Sequence, residues 1–187
     1  MPDAKRQMPN LILIGYRSAG KTIVGKRLAE RLGIPFCDTD ELISRRTGRS
    51  VREIVAEKGW ESFRREERIV IKGLTFMHGS VIALGGGALM NPANLELLKG
   101  KGLFIWLTAD AATIVERMEK DGATREQRPP LTNEDPLSET AALLKEREPV
   151  YRVISDLIVD TAGRSVEEIT EKIIKLVREN SQIGNGE

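Results

Sequence analysis

The chain has 187 residues, 40% hydrophobic and 30% charged, and its 29 basic and 28 acidic residues leave a net charge of +1. That balance argues against an extended basic face for nucleic acid or a membrane, and no apolar run reaches the roughly eighteen residues needed to cross a bilayer. The single cysteine, Cys37, excludes an internal disulfide and, with no apolar leader at the start, points to a reduced cytoplasmic compartment.

Residues 1–9 are polar, contain Pro2 and Pro9 and show no period, so a loose tail is expected. Leu11, Ile12, Leu13 and Ile14 then predict a strand that runs into GYRSAGKT, residues 15–22. Glycines at both ends of that stretch free the backbone to point successive N–H groups at an anion. Lys21 adds a positive charge, and the hydroxyl of Thr22 suits a magnesium ion. Val24, Leu28 and Leu32 carry the pattern on as a helix over 21–32, whose positive dipole end faces the same phosphates. Gly15, Ser18, Ala19, Gly20, Lys21, Thr22 and Ile23 are therefore the candidate nucleotide-binding residues.

Gly33 stops the helix, and residues 34–37 give a short strand ending at Asp38, Thr39 and Asp40. A strand, helix and strand within about thirty residues imply parallel pairing with a right-handed crossover. Residues 41–76 read as helices broken near Thr47 to Ser50 and at Gly59, with Ile69 and Leu74 on the buried face. The strand Ser80 to Leu84 leads into Gly85, Gly86 and Gly87, a backbone with nothing projecting from it where a ligand can lie close. A helix over 92–99, a strand over 103–107 and a helix from Asp110, its cap, to Lys120 follow.

Residues 121–136 are polar, proline-rich and aperiodic, and Arg125 and Arg128 suit a lid closing over phosphates. Residues 137–149 return to helix, 157–160 form a strand, and Ser165 with Glu168 make a capping box for a last helix. That helix buries Val166, Ile169, Ile173 and Val177, and residues 181–187 are expected to fray. The whole predicts one domain over residues 10–180: a three-layer α/β/α sandwich with about five parallel strands and the ligand at their carboxyl ends.

An acid at a strand tip commonly helps hold magnesium in such proteins, and both Asp38 and Asp160 stand at one. Asp38 is favoured because Asp38 and Asp40 flank one turn, so that one can face the metal and the other a second substrate. The only histidine, His78, falls in a loop without nucleophile or acid partners, so a carboxylate is the expected proton acceptor.

GYRSAGKT, DTD at 38–40, FR with Arg64, ALGGGA around 85–87, RP at Arg128 and REPVY around Arg147 occur in a distinctive order. In that order and spacing the chain resembles the shikimate kinases over residues 10 to about 178. The resemblance implies the P-loop kinase fold and transfer of a phosphoryl group from ATP, with Mg2+, to the 3-hydroxyl of shikimate, a step toward the aromatic amino acids. It implies that helices within 39–76 bind the acceptor, that Arg64 and Arg147 clamp its carboxylate, that Asp40 takes the hydroxyl proton, and that Gly85 to Gly87 approach the ring. Lys21 and Arg128 would act on the transferring phosphate, and Asp38 with Thr22 would hold magnesium. Adenine would lie near Ala162 to Arg164, covered by either Arg117 or Arg125. ATP and shikimate are the expected partners of a monomer. A gluconate or nucleoside monophosphate kinase, or a nucleotide-dependent switch with a degenerate site, are the rival readings.

Overall fold

The computed structural model describes residues 8–120 and 135–183. The expected lid, Arg125 and Arg128 included, therefore lies outside the described residues except for its last two positions. Five strands, β1 (Asn10–Ile14), β2 (Phe36–Asp38), β3 (Val81–Ala83), β4 (Gly102–Thr108) and β5 (Leu157–Asp160), form one sheet in the order β2-β3-β1-β4-β5. Every neighbouring pair is parallel. Seven α-helices accompany them among the described residues: α1 (Lys21–Leu32), α2 (Thr39–Thr47), α3 (Val51–Leu74), α4 (Pro92–Leu98), α5 (Ala111–Lys120), α6 (Pro136–Ile154) and α7 (Val166–Ile183).

The sandwich follows from the alternation of side chains along β1. Leu11 and Leu13 point to the layer of α1 and α7, where they pack with Leu28, Ile169 and Ile173. Ile12 and Ile14 point the other way, onto Ile71, Leu74, Leu98 and Tyr151 of α3, α4 and α6. Because both faces are covered, the strand is apolar at every position except Asn10, whose side chain donates to the carbonyls of Met77 and Lys101 at 2.7 and 2.9 Å. Cys37 lies in β2, half-buried, with its sulfur 4.0 Å from that of Met77.

Two expectations need correction. Helix α6 does not stop at Pro149 but continues to Ile154. A proline there forgoes one backbone bond, but Arg147 and Tyr151, one turn apart on either side of it, both donate to the carbonyl of Gly86 and hold the two halves in line. Ile69 is 45% exposed. Gly59 (φ 76°) breaks the helical geometry inside α3, and the buried face beyond it carries Phe63, Glu67, Ile71 and Leu74.

Candidate active site

The loop between β1 and α1 is shaped by its glycines. Gly15 has φ 138°, and a Cβ there would stand 2.4 Å from the carbonyl oxygen of Leu107 in β4, so only glycine lets the loop lie against the sheet. Gly20 caps α1 at φ 98° with no side-chain acceptor on the first turn, which leaves those N–H groups available to an anion. Ser18 is the one non-glycine residue at positive φ among the described residues, at 57°. The ammonium of Lys21 donates to the carbonyls of Gly15 and Tyr16 at 2.8 and 2.7 Å, folded back over the cradle.

Asp38 is bound on both sides. Its Oδ1 caps α2 by accepting from the backbone N–H of Asp40 at 2.9 Å, and its Oδ2 accepts from the Thr22 hydroxyl at 2.7 Å. The cap fixes the carboxylate's direction, and the hydroxyl joins it to the phosphate loop. Asp160, the rival acid, instead accepts from the backbone of Ala162 at 3.1 Å.

The three glycines after β3 gather the other side chains. A Cβ at Gly85 would lie 3.0 Å from Oδ1 of Asp40, and one at Gly87 would lie 2.6 Å from a terminal nitrogen of Arg64. Between them, the Gly86 carbonyl accepts from Arg147 at 2.9 Å and from the Tyr151 hydroxyl. Three consecutive Cα atoms span about 7 Å, so Asp40, Arg64 and Arg147 converge on a length of backbone no longer than one small ring compound. The donor side is equally near. The Gly15 carbonyl that receives Lys21 is 3.2 Å from where a Gly86 Cβ would stand.

Charge is arranged unevenly across this pocket. Arg64 donates from one nitrogen to both oxygens of Glu67, at 2.9 and 2.7 Å, and Glu67 is almost fully buried. Burial pushes the Glu67 carboxyl above its usual range, against the pull of Arg64 and, more weakly, of Arg147. Arg17 is paired with the buried Glu139 of α6 at 2.7 Å. Arg147 is buried too, rests 5.3 Å from the centroid of the Tyr16 ring, and has no carboxylate partner among the described residues. Its Nε is buried without a hydrogen-bond partner among them. Burial also raises the Tyr151 hydroxyl to about 12, which keeps it a donor to Gly86 at any physiological pH.

Ser18, Ala19, Gly20, Lys21, Thr22, Ile23, Asp38, Asp40 and Arg164 all line one large cleft. Arg64, Gly87 and Arg147 line a smaller cavity of about 30 Å³, and Gly85 and Gly86 belong to both. Of the residues expected at the site, Arg128 lies outside the described ones. Arg117 docks on the nucleotide side, donating to the Thr161 carbonyl at 2.7 Å and to the Ser18 carbonyl at 3.4 Å. Sequence reasoning missed Glu67, Glu139 and the site-lining roles of Tyr16 and Arg17. Glu67 could have been found, since it stands three positions after Arg64 on one helix face. Nothing in the sequence pairs Arg17 with a residue 122 positions away.

A parallel sheet, a phosphate loop opening a helix at its carboxyl edge, and a second pocket facing that loop define a P-loop kinase that phosphorylates a small molecule. Comparison with known proteins narrows the class. The shikimate kinase family model matches residues 17–178, and on that match the chain belongs to the shikimate kinase family. A shikimate kinase of Syntrophus aciditrophicus is 45% identical over 183 residues, covering 94% of each chain. That of Pelotomaculum thermopropionicum is 42% identical over 94% of this chain and 99% of its own. The structure of Acinetobacter baumannii shikimate kinase in complex with shikimate superposes with a TM-score of 0.86 at 35% identity, over 92% of this chain and 94% of the other. A gluconokinase of Sinorhizobium meliloti, at 18% identity and TM-score 0.59, shares the fold alone.

Proposed function

We propose that this chain transfers the terminal phosphoryl group of ATP to a hydroxyl of shikimate, and that the two cavities joined at Gly85 and Gly86 hold donor and acceptor. The observation that carries the acceptor's identity is the charge arrangement. Three guanidiniums surround the acceptor side, two are already paired with Glu67 and Glu139, and only Arg147 lacks a carboxylate among the described residues. A ring bearing one carboxylate completes that set, whereas a nucleoside monophosphate would bring a dianion to a set in which, among the described residues, only Arg147 has no ion-paired carboxylate. The small cavity holds about the volume of one water. The ring therefore lies where that cavity opens into the cleft, over Gly85 and Gly86, with its carboxylate toward Arg147 and Arg64.

In this reading Asp40 accepts hydrogen bonds from the ring hydroxyls. It takes the proton of the attacking hydroxyl as the new P–O bond forms, and ADP leaves with the electrons of the old one. Lys21 exchanges its loop carbonyls for phosphate oxygens, and Arg128 is proposed to neutralise charge on the moving group. The donors around Thr22 and Asp38 are hard oxygens, which fit magnesium, and the ion would take its remaining ligands from nucleotide phosphates and water. When bound, it would neutralise phosphate charge. Arg117, tied to Thr161 and Ser18, is proposed as the arginine over adenine, with Arg164 beside it.

An ADP-release assay with shikimate, gluconate and nucleoside monophosphates in parallel tests the assignment. ADP release should depend on shikimate. Comparable rates with gluconate or a monophosphate would overturn it.

A further inference from the structure

The pair formed by Arg17 and Glu139 is not needed for the chemistry above, yet Glu139 is buried and Arg17 is largely withdrawn from water, and ion pairs are costly to bury. The Arg17 side chain is 14% exposed and that of Glu139 3%. Its position is informative, because Arg17 lines both the nucleotide cleft and the small acceptor cavity. The guanidiniums of Arg17 and Arg147 stand 5.6 and 5.3 Å from the centroid of the same Tyr16 ring, which caps their separation at about 11 Å. A second uncompensated cation so near the junction would favour whichever ligand carries the most negative charge there. Of the two ligands that occupy the acceptor side, that is the phosphorylated product, since a phosphate monoester adds roughly 1.5 to 2 negative charges near neutral pH.

We infer that Glu139, by holding Arg17, sets the charge at the junction of the two cavities so that the site prefers the singly charged acceptor over its phosphorylated product. Glu139 is a positioning residue in this scheme, and its effect on the site runs through Arg17. It keeps the guanidinium from following the transferred phosphoryl group onto the product, and so eases product departure. The inference rests on the proposed reaction and fails separately from it.

The test compares the full-length wild type with Glu139→Gln, an isosteric change that removes the charge, and with the double variant Arg17→Met/Glu139→Met. For each, KM for shikimate, kcat and the inhibition constant of shikimate 3-phosphate are measured. In Glu139→Gln the inhibition constant should fall about tenfold and kcat should drop with slower release, while the shikimate KM stays within about twofold. The double variant, which lacks both charges, should return the inhibition constant to within about threefold of wild type. A merely structural pair would weaken acceptor and product together, and that result overturns the inference. So does an unchanged ratio in Glu139→Gln, or a double variant that keeps the product tight. If Glu139→Gln does not fold, the double variant alone decides, since a product to acceptor ratio shifted more than tenfold from wild type contradicts the scheme. A wild type inert toward shikimate would instead refute the reaction itself.

Discussion

Arg147 offers the sharpest test of the proposed acceptor site. In Arg147→Ala the acceptor's carboxylate would keep only Arg64, whose guanidinium is already committed to Glu67 at 2.7 and 2.9 Å. Removing one partner of a buried, hydrogen-bonded charge pair costs about 2–5 kcal/mol, and at about 1.4 kcal/mol per factor of ten the acceptor affinity should fall roughly a hundredfold or more. The cost to the fold is smaller. Arg147 also gives up its 2.9 Å bond to the Gly86 carbonyl, worth about 1 kcal/mol, but Tyr151 still donates to the same oxygen. Steady-state ADP release should therefore show a large rise in the shikimate KM and an ATP KM within about threefold of wild type, with the melting temperature only a few degrees lower. Arg147→Lys, which keeps the charge without the paired donors, should fall between. Equal losses for both substrates, or an unchanged shikimate KM, would refute the reasoning.

Gly87→Ala should raise the acceptor KM about tenfold at little cost in stability, because its Cβ would meet no backbone and displace only the end of the Arg64 side chain, 2.6 Å away. Gly15→Ala should instead lower stability by about 2–4 kcal/mol, since its Cβ meets backbone at 2.4 Å and φ is 138°; paired denaturant titrations and kinetics that fail to separate the two variants would contradict both assignments. Asp40→Asn should cut kcat by about a hundredfold or more while nucleotide affinity holds, and near-normal turnover would remove it as the proton acceptor. Glu67 predicts a pH dependence. Its native carboxyl is held above the usual 4.5, chiefly by burial, so the folded state binds the proton more tightly than the unfolded chain and this group's contribution to stability declines as pH rises from 4.5 through the raised native value. Glu67→Gln should flatten that part of the melting-temperature profile and, by loosening Arg64, raise the acceptor KM; a profile as steep as wild type would count against it.

What the sequence made legible was whatever local spacing encodes. The phosphate loop, the run Gly85 to Gly87 and the turn from Asp38 to Asp40 each carry their reason within a few residues, and Gly59 was readable as a break because glycine is a poor helix former. Pro149 was misleading for the same reason: a local rule ended the helix where two contacts to Gly86, more than sixty positions away, carry it through. Asp38 could be favoured over Asp160 but not separated from a plain helix cap, and the structure gives it both bonds at once. Which arginine has no carboxylate partner among the described residues was beyond the sequence altogether. The resemblance set Arg64 and Arg147 apart from Arg17, but only the fold shows that a carboxylate of α6, 122 positions away, pairs with Arg17.

The half-buried sulfur of β2 has a practical use. Burial, with Asp38 beside it, pushes the Cys37 thiol up to about 11, so that near pH 7 only about one molecule in ten thousand presents the reactive thiolate. The native chain is thus already close to a blank background for thiol-directed dyes. A substitution such as Lys58→Cys on the exposed side of α3 could be labelled selectively without first replacing Cys37, giving an optical reporter on the acceptor-side helices during turnover.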